Sequence, residues 1–316
     1  MPMILRRLVH LLVVLFCVTL FVALLTSMLP GDPVDAIAGF ASQEQKDALR
    51  ADLGLDDPVP VQYGRWISDF VRGDLGGYYT VTGERPVMDR VRDSLPVSLQ
   101  LMVYAQVLAL VVAIPAGVIS AYRAGSRADK AANATAFGML AIPNFAIALV
   151  LAYYVGVELE WLPVSGYVKP SEDLVEHIRR MIMPTVALAV GQIAVYMRLL
   201  RSDMIATLQE DFITMAKSKG VSPRRVLWRH ALRPSSLTLL TVAGLNVGTL
   251  IGGAVIVEVI FSMPGLGTLL FEAINARQYI ALQSLVAIIA VGYVLVNFLV
   301  DILYAVLDPR IRHARA

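Results

Sequence analysis

Residues 97–121 read Val97-Ser-Leu-Gln-Leu-Met-Val-Tyr-Ala-Gln-Val-Leu-Ala-Leu-Val-Val-Ala-Ile-Pro-Ala-Gly-Val-Ile-Ser-Ala121, without a single charge. As a helix this stretch rises roughly 37 Å, more than the hydrocarbon core of a bilayer requires. Apolar runs of similar character flank it at Leu8–Leu29, Ala134–Val157, Met183–Leu200, Leu237–Phe261 and Ile280–Leu307. The expected fold is therefore all-α, a polytopic membrane protein of six transmembrane helices. Residues 1–29 hold the N-terminal end and the first helix, 30–96 an extracytoplasmic segment between helices 1 and 2, 97–307 the core, and 308–316 a tail. The fourth run is the shortest, and Pro115 and Pro143 are expected to interrupt the second and third.

Composition agrees. Of 316 residues, 57% are hydrophobic and only 16% charged, too apolar a balance for a water-soluble surface. The net charge of +2 says little, because placement of Lys and Arg sets orientation. Sixteen basic residues fall on the side of Arg6 and Arg7, eleven on the other, and most of those eleven lie in the long 30–96 segment. Both termini are expected in the cytoplasm. Arg6 and Arg7 followed by an apolar run resemble a secretion signal, but the run is long and ends in Met28-Leu29-Pro30-Gly31-Asp32 without a small-residue cleavage pattern, so a retained helix is expected. Cys17 is the lone cysteine, which excludes an intramolecular disulfide and a thiolate metal cluster. His10, His177, His230 and His313 are too scattered for a metal-ligand spacing.

Residues 30–96 carry twelve acidic and seven basic residues with turn signals such as Pro30-Gly31-Asp32-Pro33. The stretch Val61–Ile67 with Phe70-Val71 offers an amphipathic face, so a small ordered cap is expected rather than a solvated linker.

The connection between the fourth and fifth runs, within the coupling region 202–236, is the most informative. It reads Asp211-Phe-Ile-Thr-Met-Ala-Lys-Ser-Lys-Gly220-Val-Ser-Pro-Arg-Arg-Val-Leu-Trp-Arg-His-Ala-Leu-Arg-Pro234. Phe212, Met215 and Ala216 are expected on one helical face with Lys217 and Lys219 turned away. Gly220 suits a helix stop, and Ser222-Pro223 a fresh start, so two short helices joined by a tight turn are expected. The apolar ridge suits docking in a partner's groove, and the basic residues, Arg225 among them, equally suit a segment lying on anionic lipid. His230 is expected to pack against the docking helix.

This segment resembles the cytoplasmic coupling motif of ABC importer permeases, Glu-Ala-Ala followed by glycine six positions after the glutamate, in the variant of the dipeptide and oligopeptide permease family. Thr214 stands at the glutamate position, Met215 and Ala216 follow, and Gly220 is the glycine. Thr214 thus removes a charged contact to the ATPase. The likeness extends to Leu29-Pro-Gly-Asp-Pro33, Asp52-Leu-Gly-Leu-Asp-Asp-Pro58, Gln62-Tyr63, Gly73-Asp-Leu-Gly76, Trp161-Leu-Pro-Val-Ser-Gly166, Glu258 with Phe261-Ser-Met-Pro-Gly-Leu-Gly267, and Asp308-Pro-Arg310, which look like signatures of the first permease subunit. The resemblance implies a type I importer fold in a bacterial cytoplasmic membrane. It also implies as partners a homologous second permease, two ABC ATPase subunits and an extracytoplasmic solute-binding protein delivering di- or oligopeptides. Relatives that carry nickel complexes, glutathione or other small solutes leave the cargo open.

The sequence contains no Gly-x-x-x-x-Gly-Lys-Ser/Thr loop, so it lacks that route to ATP, and ATP with Mg is expected at the partner subunits. No cofactor, catalytic residue or metal is expected in this chain, and no nucleic-acid partner. Gly244-x-x-x-Gly248-x-x-x-Gly252, with Gly253 next and Asn246 beside it, would lay a smooth stripe along the fifth helix, at a subunit interface, along the passage, or in packing within the subunit. Glu258 reads as a gate, a polar contact or a structural hydrogen bond, and Asp301 as structural. A transporter acting alone would need paired broken helices and repeats or coupling acids, and a membrane enzyme would need a catalytic set at one depth; neither pattern is present.

Overall fold

The computed structural model describes residues 3–28, 33–37, 42–80 and 83–307. The side chains of Arg6, Arg7, His10 and Asp301, the motif residues Leu29–Asp32 and the 308–316 tail lie outside the described residues. The chain divides into two compact units, residues 1–98 with 264–295 and residues 99–263 with 296–316.

The first unit opens with α1 (Met3–Met28), α2 (Pro33–Ile37), α3 (Gln43–Asp52) and α4 (Val59–Val71). Ser42 starts α3 through a capping box, its hydroxyl accepting from the Gln45 amide while the Gln45 side chain accepts from the Ser42 amide at 3.0 Å. On α4, Tyr63 and Trp66 lie three residues apart and share the buried face. Tyr63 meets α1 through a hydroxyl contact to Thr19 at 2.9 Å and an edge-on ring contact to Phe16. The antiparallel hairpin β1 (Gly77–Thr80) and β2 (Gly83–Pro86) comes next, pairing Gly77 with Pro86 and Tyr78 with Arg85. An all-helical chain was expected, and among the described residues this short hairpin is the exception.

The chain then enters α5 (Val87–Tyr122), and the unit is completed by α12 (Leu266–Asn275) and the start of α13 (Tyr279–Leu307). Leu75, Tyr78, Val87 and Val91 are buried in one cluster with Leu269, Ala273 and Leu285. Gln278 acts as a substitute strand, accepting from the Tyr79 amide at 3.0 Å and donating to its carbonyl at 2.7 Å. Trp66 Nε1 donates to Ser284, whose hydroxyl donates to the Leu75 carbonyl. The amphipathic stretch of the sequence is thus an ordered, sequestered helix face.

In the second unit α8 (Leu174–Thr207) is the axis, against which α6 (Arg127–Ala141), α7 (Asn144–Leu151) and α11 (Leu232–Ile260) pack. Ala187, Leu188, Tyr196, Leu200 and Met204 on α8 are sealed from solvent. The helix is longer than the apolar run Met183–Leu200, because Arg179 and Arg180 pair with Glu176 one turn back and carry it beyond the apolar stretch. Pro143 does what its ring dictates: α6 and α7 meet at 96° across the break. Pro115 does not, and α5 continues through it.

Among the described residues, four helices are long and apolar enough to cross a membrane, Val87–Tyr122, Leu174–Thr207, Pro223–Ile260 and Tyr279–Val300, or five if the bent pair Arg127–Ala141 with Asn144–Glu158 is one span. The described part of α1, Leu12–Met28, is a shorter apolar helix.

His177 is fully buried between α8 and its neighbours. Its Nδ1 faces the Val168 carbonyl at 2.7 Å, which fixes the proton there and leaves Nε2 to accept from Tyr104 at 3.2 Å. Tyr167, edge-on to the same ring, donates to Gln100, and burial pushes its phenol above the ordinary value.

Candidate functional site

The connection singled out in the sequence leaves α8 at Thr207 and returns in α11. Between them lies α9 (Asp211–Ser218), with Asp211 in its first turn and Lys217 in its last, each charge complementing the helix dipole. It ends in a reciprocal cap: the Gly220 amide donates to the Lys217 carbonyl at 2.9 Å and the Val221 amide to the Ala216 carbonyl at 3.2 Å. Gly220 adopts φ +75°, a left-handed conformation that suits glycine. The expected helix stop is where the sequence put it.

The second half of the connection departs from expectation. Pro223 opens a single turn, α10 (Pro223–Arg225), which passes through a π-helical segment, Val226–Ala231, straight into α11. The second short helix is therefore the base of a long one, Pro223–Ile260. Ser222 precedes it with extended backbone but makes no side-chain cap. α9 packs against the π-helical segment that contains His230, which is half-buried there.

Phe212 and Met215 are both displayed on α9, as a docking ridge requires, and the residue that roots the helix is one the sequence did not single out. Ile213 is the residue that disappears, at 0% exposure, while Phe212 is 44% and Met215 56% exposed. Ala216 is half-buried, and Thr214, Lys217, Lys219 and Gly220 are exposed, as are Arg225 and Asp211. One apolar residue anchors the helix, and the two larger ones face outward with Trp228 exposed on the neighbouring segment. Exposed large apolar side chains beside basic ones form a surface suited to receiving another protein.

The frame beneath this surface rests on residues the sequence did not single out. Asp129, 3% exposed, holds Arg201 in a two-pronged ion pair, Oδ1 to Nε at 2.6 Å and Oδ2 to Nη2 at 2.7 Å. Ser120 and Asn133 also donate to Oδ1, and the Gly125 amide donates to Oδ2. Arg201 lies about two turns before the end of α8, so this clamp ties the end of α8, from which the connection departs, to α6. Thr207 and Ser235 join the two feet of the segment through their hydroxyls at 2.9 Å. The one available signal was Ser126-x-x-Asp129, a helix-start pattern; Ser126 does accept from the Asp129 amide.

Along α11 the expected glycine stripe does not act as one surface. A β-carbon on Gly244 would collide with Val300 at 2.5 Å, so this glycine serves packing within the unit. Gly248 is buried, Gly253 faces Leu188 and Asn144, and Gly252 meets nothing within 4 Å. Successive four-residue steps drift around a 3.6-residue helix, which sends the ends of the stripe to different neighbours. Replacing Gly244 with leucine should lower the unfolding temperature of the detergent-solubilised protein by overpacking, at a cost of about 1–3 kcal/mol, whereas Gly252→Leu should leave it unchanged. Asn246 interacts with the Tyr196 hydroxyl, which donates to Gln106 at 3.1 Å. Glu258 is fully buried near the end of α11.

Residues 113–313 match the family of binding-protein-dependent transport system inner membrane components, and residues 1–102 match the N-terminal part of such membrane components. The chain belongs to this family. A "Probable peptide ABC transporter permease protein" of Sinorhizobium fredii is 38% identical over 312 residues, covering 98% of this chain and 99% of that one. The "Dipeptide transport system permease protein DppB" of Alkalihalophilus pseudofirmus is 33% identical over 329 residues, covering 98% of each. Among solved structures, an inward-facing form of the MetNI methionine ABC transporter superposes with a TM-score of 0.56 at 14% identity, covering 70% of this chain and 97% of that one, a likeness of fold. A membrane component of a binding-protein-dependent system works with other proteins.

Proposed function

We propose that this chain is a permease subunit of an ATP-driven peptide importer and that α9 receives the motion of a cytoplasmic ATPase. The observation that carries the coupling role is the outward display of Phe212 and Met215 on a helix rooted by Ile213 and by the Asp129–Arg201 clamp. The peptide cargo is supported by what the full-length relatives are called.

On this reading six spans cross the inner membrane, both termini and α9 face the cytoplasm, and residues 30–96 face outward beside a solute-binding protein. Two ATPase subunits hold ATP and Mg, and this chain performs no covalent chemistry. A homologous second permease meets the exposed face of α11, where Leu245, Thr249 and Ile256 are turned outward around the open Gly252. Glu258 lies near the outer end of that helix.

Gly220 supplies a direct test. Its left-handed conformation has no steric neighbour, so replacement by valine strains only the helix end, at about 1–2 kcal/mol. In proteoliposomes carrying the whole complex, Gly220→Val should insert normally and lower the peptide imported per ATP hydrolysed about tenfold. An unchanged ratio counts against the coupling role. Comparing labelled di-, tri- and pentapeptides in the same vesicles tests the cargo, and uptake of none of them would redirect the reading to another solute.

A further inference from the structure

The first unit contains a cavity of about 410 Å³ between α1, α4, the β1–β2 hairpin and the start of α13. Its size falls in the range of sites for small organic ligands. Tyr63, Trp66 and Gln283, each less than 10% exposed, line it together with Tyr279. Two hydrogen-bond donors among these are sealed from solvent and have no partner among the described residues: the Tyr279 hydroxyl and Nε2 of Gln283. Tyr63 and Trp66, by contrast, are satisfied by Thr19 and Ser284. Buried donors without acceptors are costly and uncommon, and two lining the same cavity call for an acceptor that the described residues do not supply.

The charged lining has the opposite polarity. Asp69, Asp74 and Glu84 face the cavity with Arg65 as the one cationic residue among the described lining; Arg65 is paired with Asp57, and Asp69 has Arg72 at 3.7 Å beside the cavity. Asp74 and Glu84 are exposed and the Asp69 side chain is 44% exposed, whereas Gln283 and Trp66 are buried and the Tyr279 hydroxyl is sealed, so the carboxylates sit toward the mouth and the orphan donors toward the floor. A ligand matching both carries an ammonium group and a carbonyl oxygen. Aromatic walls favour the cation further, and an acidic mouth disfavours a phospholipid phosphate.

We propose that this cavity binds the amino-terminal end of a short peptide, its ammonium held by Asp69 and Glu84 and a backbone carbonyl accepting from Tyr279 and Gln283. The choice of a peptide rests on the import reading; the ammonium-and-carbonyl chemistry rests on the cavity. Such a site would hold cargo within the unit that carries residues 30–96.

The test is equilibrium binding of radiolabelled dialanine to the purified complex without nucleotide or solute-binding protein. Saturable binding is expected, with N-acetyl-dialanine failing to compete. The Asp69→Asn/Glu84→Gln pair lies at the mouth and leaves the floor packing intact; it should weaken binding about tenfold or more, and Gln283→Leu should do the same from the floor. The proposal is overturned by an absence of saturable binding up to the millimolar range, by equal competition from the acetylated peptide, or by undiminished affinity in the mouth pair. Because no transport is read, a complex that binds dialanine yet imports no peptide defeats the import reading alone. One that imports peptide yet shows no such binding defeats only the site.

Discussion

Replacing both Phe212 and Met215 with aspartate should abolish ATP-driven uptake while the subunit still inserts and folds. Both side chains are largely exposed, so their loss removes nothing from the packed interior, which α9 contacts through Ile213. Burial of a large apolar side chain in a partner is worth about 1.5–3 kcal/mol, and an interface anchor typically costs at least about 2 kcal/mol when truncated. Two such losses, with carboxylates left to be desolvated, should weaken ATPase attachment by about a hundredfold or more. The measurement is the amount of ATPase subunit copurifying with the tagged variant, set beside uptake in proteoliposomes. Normal copurification with normal uptake would remove α9 as the docking element. Ile213→Asp should also fail, but through misfolding, which an unfolding temperature in detergent distinguishes.

The same helix shows how far the sequence could be read. Its existence, its end at Gly220 and the left-handed geometry there stem from local chemistry, since a glycine after a short amphipathic run and a proline three residues later leave the backbone few choices. Which apolar residue turns inward is not decided locally. Phe212, Ile213, Met215 and Ala216 span more than one face, and the choice of Ile213 is made by the π-helical segment that α9 meets, which no short window records. The sharp break at Pro143 was legible because proline removes a donor wherever it stands. Pro115 has the same ring, yet α5 absorbs it, because neighbouring structure can re-satisfy the freed carbonyl.

Longer-range features were less visible for a related reason. Asp129 finds its partners nine and seventy-two positions away, in Ser120 and Arg201, and all three look in sequence like ordinary residues at a helix end. The hairpin at 77–86 is stabilised by Gln278, almost two hundred positions later. The glycine pattern on α11 was visible as a pattern, but only the fold assigns Gly244 to Val300 and leaves Gly252 open. Local signals located the elements; the side chains that join them required the tertiary structure.

Asp129→Ala should be the most damaging single substitution outside the coupling helix itself. It leaves the Arg201 guanidinium, about three-quarters buried, without its counter-charge, and strips an acceptor from Ser120, Asn133 and the Gly125 amide. Breaking a buried pair by removing one partner typically destabilises by about 3–5 kcal/mol, because the remaining charge stays buried. The unfolding temperature in detergent should fall accordingly, and uptake should fall with it, since the root of α9 is no longer fixed against α6. The double variant Asp129→Leu/Arg201→Leu separates charge from position: with neither ion present, most of the lost stability should return. If uptake returns as well, the pair serves folding alone. If stability returns while uptake per ATP hydrolysed stays low, the clamp transmits force, because an apolar contact can fill the space between α6 and α8 but cannot hold Arg201 in the fixed two-pronged geometry that carboxylate and guanidinium impose.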